Sequence, residues 1–182
     1  MKQGVRALGV AESYRAESST LAGVVVRASR VVDGFVFGTC TVGGTDGTES
    51  ILDLYRRLDR EDVRYLLVSG IAPAWYNVID LASLHEETGI PVISVSFEES
   101  NGLEPAIEKE FSGNAASRRL EIYRSLPDRR PVSTPDGRVF VRSVGIDEEK
   151  TTKVIQQFTP EGSRPEPLRV ARLAARAVDQ RE

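Results

Sequence analysis

One cysteine and one histidine among 182 residues leave little room for thiol or imidazole chemistry. Cys40 alone excludes an intrachain disulfide and any multi-thiolate zinc or iron–sulfur site, which points to a reducing compartment and a cytoplasmic location. A Ser-His-Asp or Cys-His arrangement has only His85 to draw on. That residue continues the apolar stripe Val78, Leu81, Ala82 of a helix near its Gly89 stop, the place of a packed histidine rather than a catalytic one. No stretch approaches the roughly 20 apolar residues that span a bilayer. The opening MKQGVRALGV lacks the unbroken apolar core of a signal peptide, so no membrane partner is expected. Basic excess is missing too: 24 Lys and Arg face 27 Asp and Glu, for a net charge of -3. Any nucleic-acid site therefore has to arise from local clustering of basic residues. With thiols and imidazoles so scarce, hydrolysis in this chain falls to carboxylates and a divalent metal.

No repeat, low-complexity segment or long linker divides the chain, and 182 residues suit a single domain with one core. Three strands are expected first, at about 5–11, 21–28 and 35–42, with "VVDG" (31–34) as the hairpin turn between the last two. Ile51, Leu54, Tyr55 and Leu58 then repeat at helical spacing. A buried strand (65–72), a helix (78–88) and the strand PVISVSF (91–97) follow, with right-handed parallel crossovers. From about residue 103 the chain reads as an elaboration: a polar helical region to about 126, a hairpin about Pro135-Asp136-Gly137, a helix capped by Asp147, and a last helix PLRVARLAARAV. Three antiparallel strands joined to two parallel ones with helices between them is the layout of an α/β, ribonuclease H-like mixed sheet flanked by helices.

"GTDGTESI", "SGIAPAWYNVIDLASLHEETGIPVI", "RSVGID" and "RPEPLRVARL" occur in order at fitting distances, and together they resemble the archaeal endonuclease dU family, itself similar to endonuclease V. The resemblance runs from about Val5 to about Ala175. It implies an endonuclease V-like fold and Mg²⁺- or Mn²⁺-dependent hydrolysis of DNA phosphodiesters near deaminated bases such as deoxyuridine, a DNA-repair activity. Two positions depart from the pattern. Where the family reads "GIDDG" at the first strand this chain reads Gly9-Val10-Ala11-Glu12-Ser13, and where endonuclease V carries an Asp at the end of the strand after the first helix this chain reads Ser69-Gly70-Ile71-Ala72.

Four carboxylates are candidates for the chemistry. Glu12, one methylene longer than the missing Asp, and Asp46 in the glycine-rich "VGGTDGTES" are the expected metal ligands, with Asp80 or Asp147 as a third. Each has an ordinary alternative: a residue just past a strand for Glu12, a capping pair with Glu49 for Asp46, a first-turn helix acid for Asp80 and an N-cap for Asp147. Trp75 and Tyr76 are placed to stack a base and Asn77 to bond its edge. Arg169, Arg172 and Arg176 share one side of the last helix, as a phosphate-facing stripe or as solvated charge. Three functions remain open on these residues: a working endonuclease, a nucleic-acid-binding protein whose metal site has decayed, and a scaffold that uses only the fold.

Overall fold

A computed structural model describes residues 1–14 and 16–181. Three long strands come first, β1 (Arg6–Tyr14), β2 (Ser18–Arg27) and β3 (Val32–Thr41), followed by helix α1 (Gly47–Leu58). Then come β4 (Val63–Ser69), a single turn α2 (Pro73–Tyr76), helix α3 (Leu81–Thr88) and β5 (Val92–Ser96). The remainder is α4 (Glu104–Glu110), α5 (Gly113–Ser125), the hairpin β6 (Arg130–Thr134) and β7 (Gly137–Val144), α6 (Glu148–Gln157) and α7 (Glu166–Asp179).

All seven strands form one sheet in the order β3-β2-β1-β4-β5-β7-β6. β1, β4 and β5 run parallel, while β2 and β3 extend the sheet antiparallel on one side and the β6–β7 hairpin does so on the other. The β6–β7 hairpin is thus built into the sheet rather than appended to it. β1 alternates between two cores, as the period-2 pleat requires. Leu8 and Val10 pack with Ile51, Leu54 and Leu84 under α1 and α3. Ala7 faces the cluster around Phe158 and Leu168, and Ala11 packs against Ala171 of α7.

Small residues let α7 lie close on β1. A Cβ on Gly9 would collide with the backbone carbonyl and the side chain of Pro167. "PEPLRV" and "ALGVAES" are therefore two halves of one contact, with Pro167 seated over the only residue of β1 that leaves room for it.

Three expectations about elements change. The β2–β3 turn lies at residues 28–31, with Arg30 in the left-handed region, and Asp33 belongs to β3. It is held in the strand by the guanidinium groups of Arg6 (2.5 Å) and Arg27 (2.7 Å). The helix expected over 78–88 starts only at Leu81, because Asp80 accepts the Ser83 amide as an N-cap. The polar helical region breaks into α4 and α5 at Phe111–Ser112, with Gly113 at φ +59°.

Candidate functional site

The carboxyl ends of β1, β4 and β5 open into one cleft of about 1030 Å³. Its floor comes from the strand ends, including Ala11, Glu12, Ser69 and Ser96, and its rims from the segments 70–76 and 97–103 and from α7. This is the edge where sheets with parallel strands hold ligands, because strands and crossovers diverge there and leave side chains unpacked.

Among the described residues five arginines line the cleft: Arg129, Arg142, Arg164, Arg172 and Arg176. None of them forms a salt bridge among the described residues, although most other arginines of the chain do. The Arg164 guanidinium lies 3.7 Å from the centre of the Phe97 ring. Burial, and then the neighbouring charges of Arg172 and Arg176, push its pKa down. Across the cleft Arg129 bonds Ser96 Oγ at 3.1 Å and the Glu98 carbonyl, and Arg142 donates to the Pro127 carbonyl at 2.6 Å. Guanidinium groups gathered without ion-pair partners repel one another, and an anion in their midst relieves that repulsion; phosphate fits their fork geometry.

The carboxylates expected to act together do not converge. Among the described residues no group of three or more His, Cys, Asp or Glu side chains is arranged to hold a metal ion. Glu12 lies at the strand edge on the α1 face, opposite Leu21 on β2, and accepts a hydrogen bond from the buried Ser19 hydroxyl at 2.6 Å. Asp46 is the nearest of the others in its effects: it and Glu12 both raise the pKa of buried Cys40, which burial above all pushes up to about 11. Yet the Asp46 oxygens are taken by the Thr41 amide (3.0 Å), the Thr41 hydroxyl (2.8 Å) and the Asn77 amide (2.8 Å). Burial pushes the Asp46 pKa up, but these donors outweigh it and hold the carboxyl below its ordinary value. It stands at the N-cap position of α1 without capping it through its side chain.

Asp80 turns both oxygens to Ser83, at 3.1 Å from the amide and 2.9 Å from the hydroxyl, and lines no part of the cleft. Asp147 caps α6 by accepting the Lys150 amide at 2.8 Å. It follows β7, whose end at Val144 pairs with Val92 at the start of β5, so it lies at the sheet edge opposite the cleft. The chemistry of this donor set does not fit a multi-carboxylate Mg²⁺ or Mn²⁺ centre: the strand ends of the cleft carry Glu12, Ala11 and Ser69. On the rim, Glu98 and Glu99 follow β5, and Glu99 is paired with Arg138.

The remaining candidates divide. Trp75 and Tyr76 line the cleft, with Trp75 44% exposed. Asn77 is fully buried and unable to reach a base: it accepts the Gly47 amide at 2.8 Å and donates to the Thr41 carbonyl and to Asp46. Arg172 and Arg176 reach the cleft, whereas Arg169 is exposed and held by Glu166 through bonds of 2.8 and 2.6 Å. His85 is packed, its Nδ1 2.8 Å from the Ile90 carbonyl. Sequence reasoning missed Arg164 and Arg129, which lie in irregular segments and carry no periodicity, and Arg142, which lies within β7. Arg164 alone had a signal in the sequence, the "SRPEPLR" that brings it to the start of α7.

A mixed sheet of this order with a basic cleft at its carboxyl edge defines a protein of the ribonuclease H-like class, in the endonuclease V form. Endonuclease V of Ciona intestinalis, solved in complex with a 24-mer DNA containing an inosine followed by a ribo-adenosine, superposes with a TM-score of 0.67 at 14% identity, covering 97% of this chain and 86% of that one. A protein of unknown function from Archaeoglobus fulgidus superposes with a TM-score of 0.85 at 23% identity over 95% of this chain and 97% of that one. A profile of the endonuclease dU family matches residues 3–179, and the chain belongs to that family. A UPF0215 protein of Pyrobaculum calidifontis is 36% identical over 175 residues, 94% of this chain and 95% of the relative. Family and fold together support a nuclease. No described helix is long and apolar enough to cross a membrane.

Proposed function

We infer that this protein takes a DNA strand carrying a deaminated base, such as deoxyuridine, across the arginine-lined cleft and cuts it there. The five cleft arginines without carboxylate partners carry this reading, since they are a backbone-binding surface in a molecule whose net charge is negative. Arg164, Arg172 and Arg176 hold phosphates on one wall, and Arg129 and Arg142 do so on the other. The complex of Ciona endonuclease V with inosine-containing DNA supports the choice of substrate class. Cutting is supported by family membership, and Glu12 is the carboxylate at the strand edge on which it would rest.

A second reading, binding without cleavage, is favoured by Ala11 and Ser69 at the strand ends and by the engagement of Asp46, Asp80 and Asp147 in structural hydrogen bonds. One experiment separates the two: a labelled deoxyuridine oligonucleotide is incubated with wild type, Glu12→Gln and the triple variant Arg164→Ala/Arg172→Ala/Arg176→Ala, with Mg²⁺ or Mn²⁺ present. Binding is read by anisotropy and cleavage on a gel. Binding that weakens at least about tenfold in the triple variant is expected from the loss of three phosphate contacts. Cleavage abolished by Glu12→Gln supports the nuclease, and binding without cleavage supports the second reading. No binding to wild type at low salt removes both.

A further inference from the structure

Ala74, Trp75 and Tyr76 are three consecutive non-glycine residues with positive φ (49°, 56° and 61°). Side chains rarely tolerate this left-handed conformation, and a run of them persists only where surrounding contacts over-determine it. The contacts are present. The Gly43 amide donates to the Ala74 carbonyl at 2.7 Å, and the Asn77 amide to the Pro73 carbonyl at 3.1 Å. Gly43 also leaves space for the indole, since a Cβ there would lie 2.9 Å from the Trp75 ring.

The third contact is a buried cation. Arg119 of α5 is only 4% exposed and has no carboxylate partner among the described residues. Its Nε donates to the Tyr76 carbonyl at 3.0 Å, Nη2 to the carbonyls of Gly43 (2.6 Å) and Gly44 (3.1 Å), and Nη1 to the Ala115 carbonyl at 2.9 Å. The Phe111 ring covers the guanidinium at 3.8 Å and meets Trp75 and Tyr76 on its other contacts, at 5.4 and 6.0 Å between centroids. One guanidinium thus ties the β3–α1 loop, the strained turn and α5 together. A lysine could satisfy some of these carbonyls but not all of them, because it lacks the planar fork.

The outcome is an indole that remains 44% exposed in a cleft, on a backbone that packing alone would not select. We propose that Arg119 is a positioning residue, locking the left-handed turn so that Trp75 stands at the cleft rim as a stacking platform for an unpaired nucleobase. Aromatic faces bind bases of any sequence, and the cleft arginines supply the backbone contacts that such a platform needs. The proposal rests on the reading that DNA enters this cleft.

Trp75 is the only tryptophan, so fluorescence excited at wavelengths beyond tyrosine absorption reports on this one side chain. Emission, quenching by acrylamide and anisotropy of Trp75 are measured in wild type, Arg119→Met and Arg119→Lys, each checked for folding by circular dichroism. The same proteins and Trp75→Ala are then titrated with a labelled single-stranded deoxyuridine oligonucleotide. Binding is followed by anisotropy of the label and stacking by Trp75 emission. In the free protein Arg119→Met is expected to change Trp75 emission and quenching, with Arg119→Lys in between. Wild-type emission is quenched on binding. Arg119→Met and Trp75→Ala each weaken binding about tenfold with the salt dependence retained, and the double variant is no worse than either single one, because both remove the same contact. If Arg119→Met does not fold, the Arg119→Lys shift decides. Unchanged Trp75 emission in the folded Arg119 variants overturns the positioning role, and oligonucleotide binding without a change in wild-type emission overturns the platform. If no oligonucleotide binds to wild type, the reading of the cleft fails and the platform with it.

Discussion

Asp46 and Asn77 bond each other and share Thr41, so side chains chosen from the sequence as ligand and base reader serve instead to join the β3–α1 loop to the α2–α3 segment. Asp46→Ala is expected to destabilise the protein by about 1–3 kcal/mol, since it leaves the buried Asn77 amide short of an acceptor. Urea denaturation measures this, and DNA binding by the folded fraction should change far less. A second titratable group shapes the response to acid. Hydrogen bonds from Arg27 above all, and from Arg6, lower the Asp33 pKa from 3.8 to about 2 despite its desolvation. A carboxyl depressed on folding contributes stability above its ordinary pKa and loses it as the pH falls towards its folded value. Thermal melts from pH 5 to pH 2 should show a loss between about pH 4 and pH 2 that is smaller in Asp33→Asn. Capping was legible for Asp147 from spacing alone, because an N-cap bonds a backbone amide two or three residues away, whereas Asp80, expected within the first turn of its helix, is that helix's N-cap. Whether Asp46 would cap or bind was not legible, since its donors come from residues 5 and 31 positions distant.

At the scale of elements, α7 controls the cleft by where it rests. Pro167 seats on Gly9, Leu168 and Ala171 face the sheet, and Arg172 and Arg176 are thereby delivered to the carboxyl edge of β1. Gly9→Val is expected to cost about 3 kcal/mol, because the clash is with backbone that a rotamer change cannot relieve. It should also weaken DNA binding even where the fold survives, which denaturation and anisotropy together can show. The amphipathic pattern of α7 identified its buried face in the sequence, and three of its arginines were read as one stripe. The structure splits that stripe: Arg169 bonds Glu166 outside the cleft, while Arg164, before the helix begins, joins Arg172 and Arg176. Helical periodicity ranks residues by angle about one axis. It carries no information about a residue ahead of the helix that folds back beside it.

For the whole molecule, charge distribution matters more than its sum. The net charge is -3, yet five arginines face one cleft and much of the remaining charge is paired elsewhere on the surface. If all five contact phosphates of a single strand, log Kobs should fall with log[salt] with a slope of about -3.5. Each Arg→Ala change at Arg164, Arg172 or Arg176 should reduce that slope by about 0.7, as read from anisotropy titrations between 50 and 200 mM salt. The sequence by itself determined the order of most elements, the apolar faces of helices and strands, the Asp147 cap and the resemblance to endonuclease dU. All of these depend on neighbours within a few residues or on a pattern kept along the chain. Only the tertiary structure decided that Ala11 lies beneath α7 while Glu12 meets Ser19, that Asp46, Asp80 and Asp147 do not converge, and that arginines of α7, β7 and the segments before α7 and β6 do. The reason is physical: a site is a meeting of side chains at one place, and that place is set by strand order, pleat parity and close contacts such as Gly9 with Pro167.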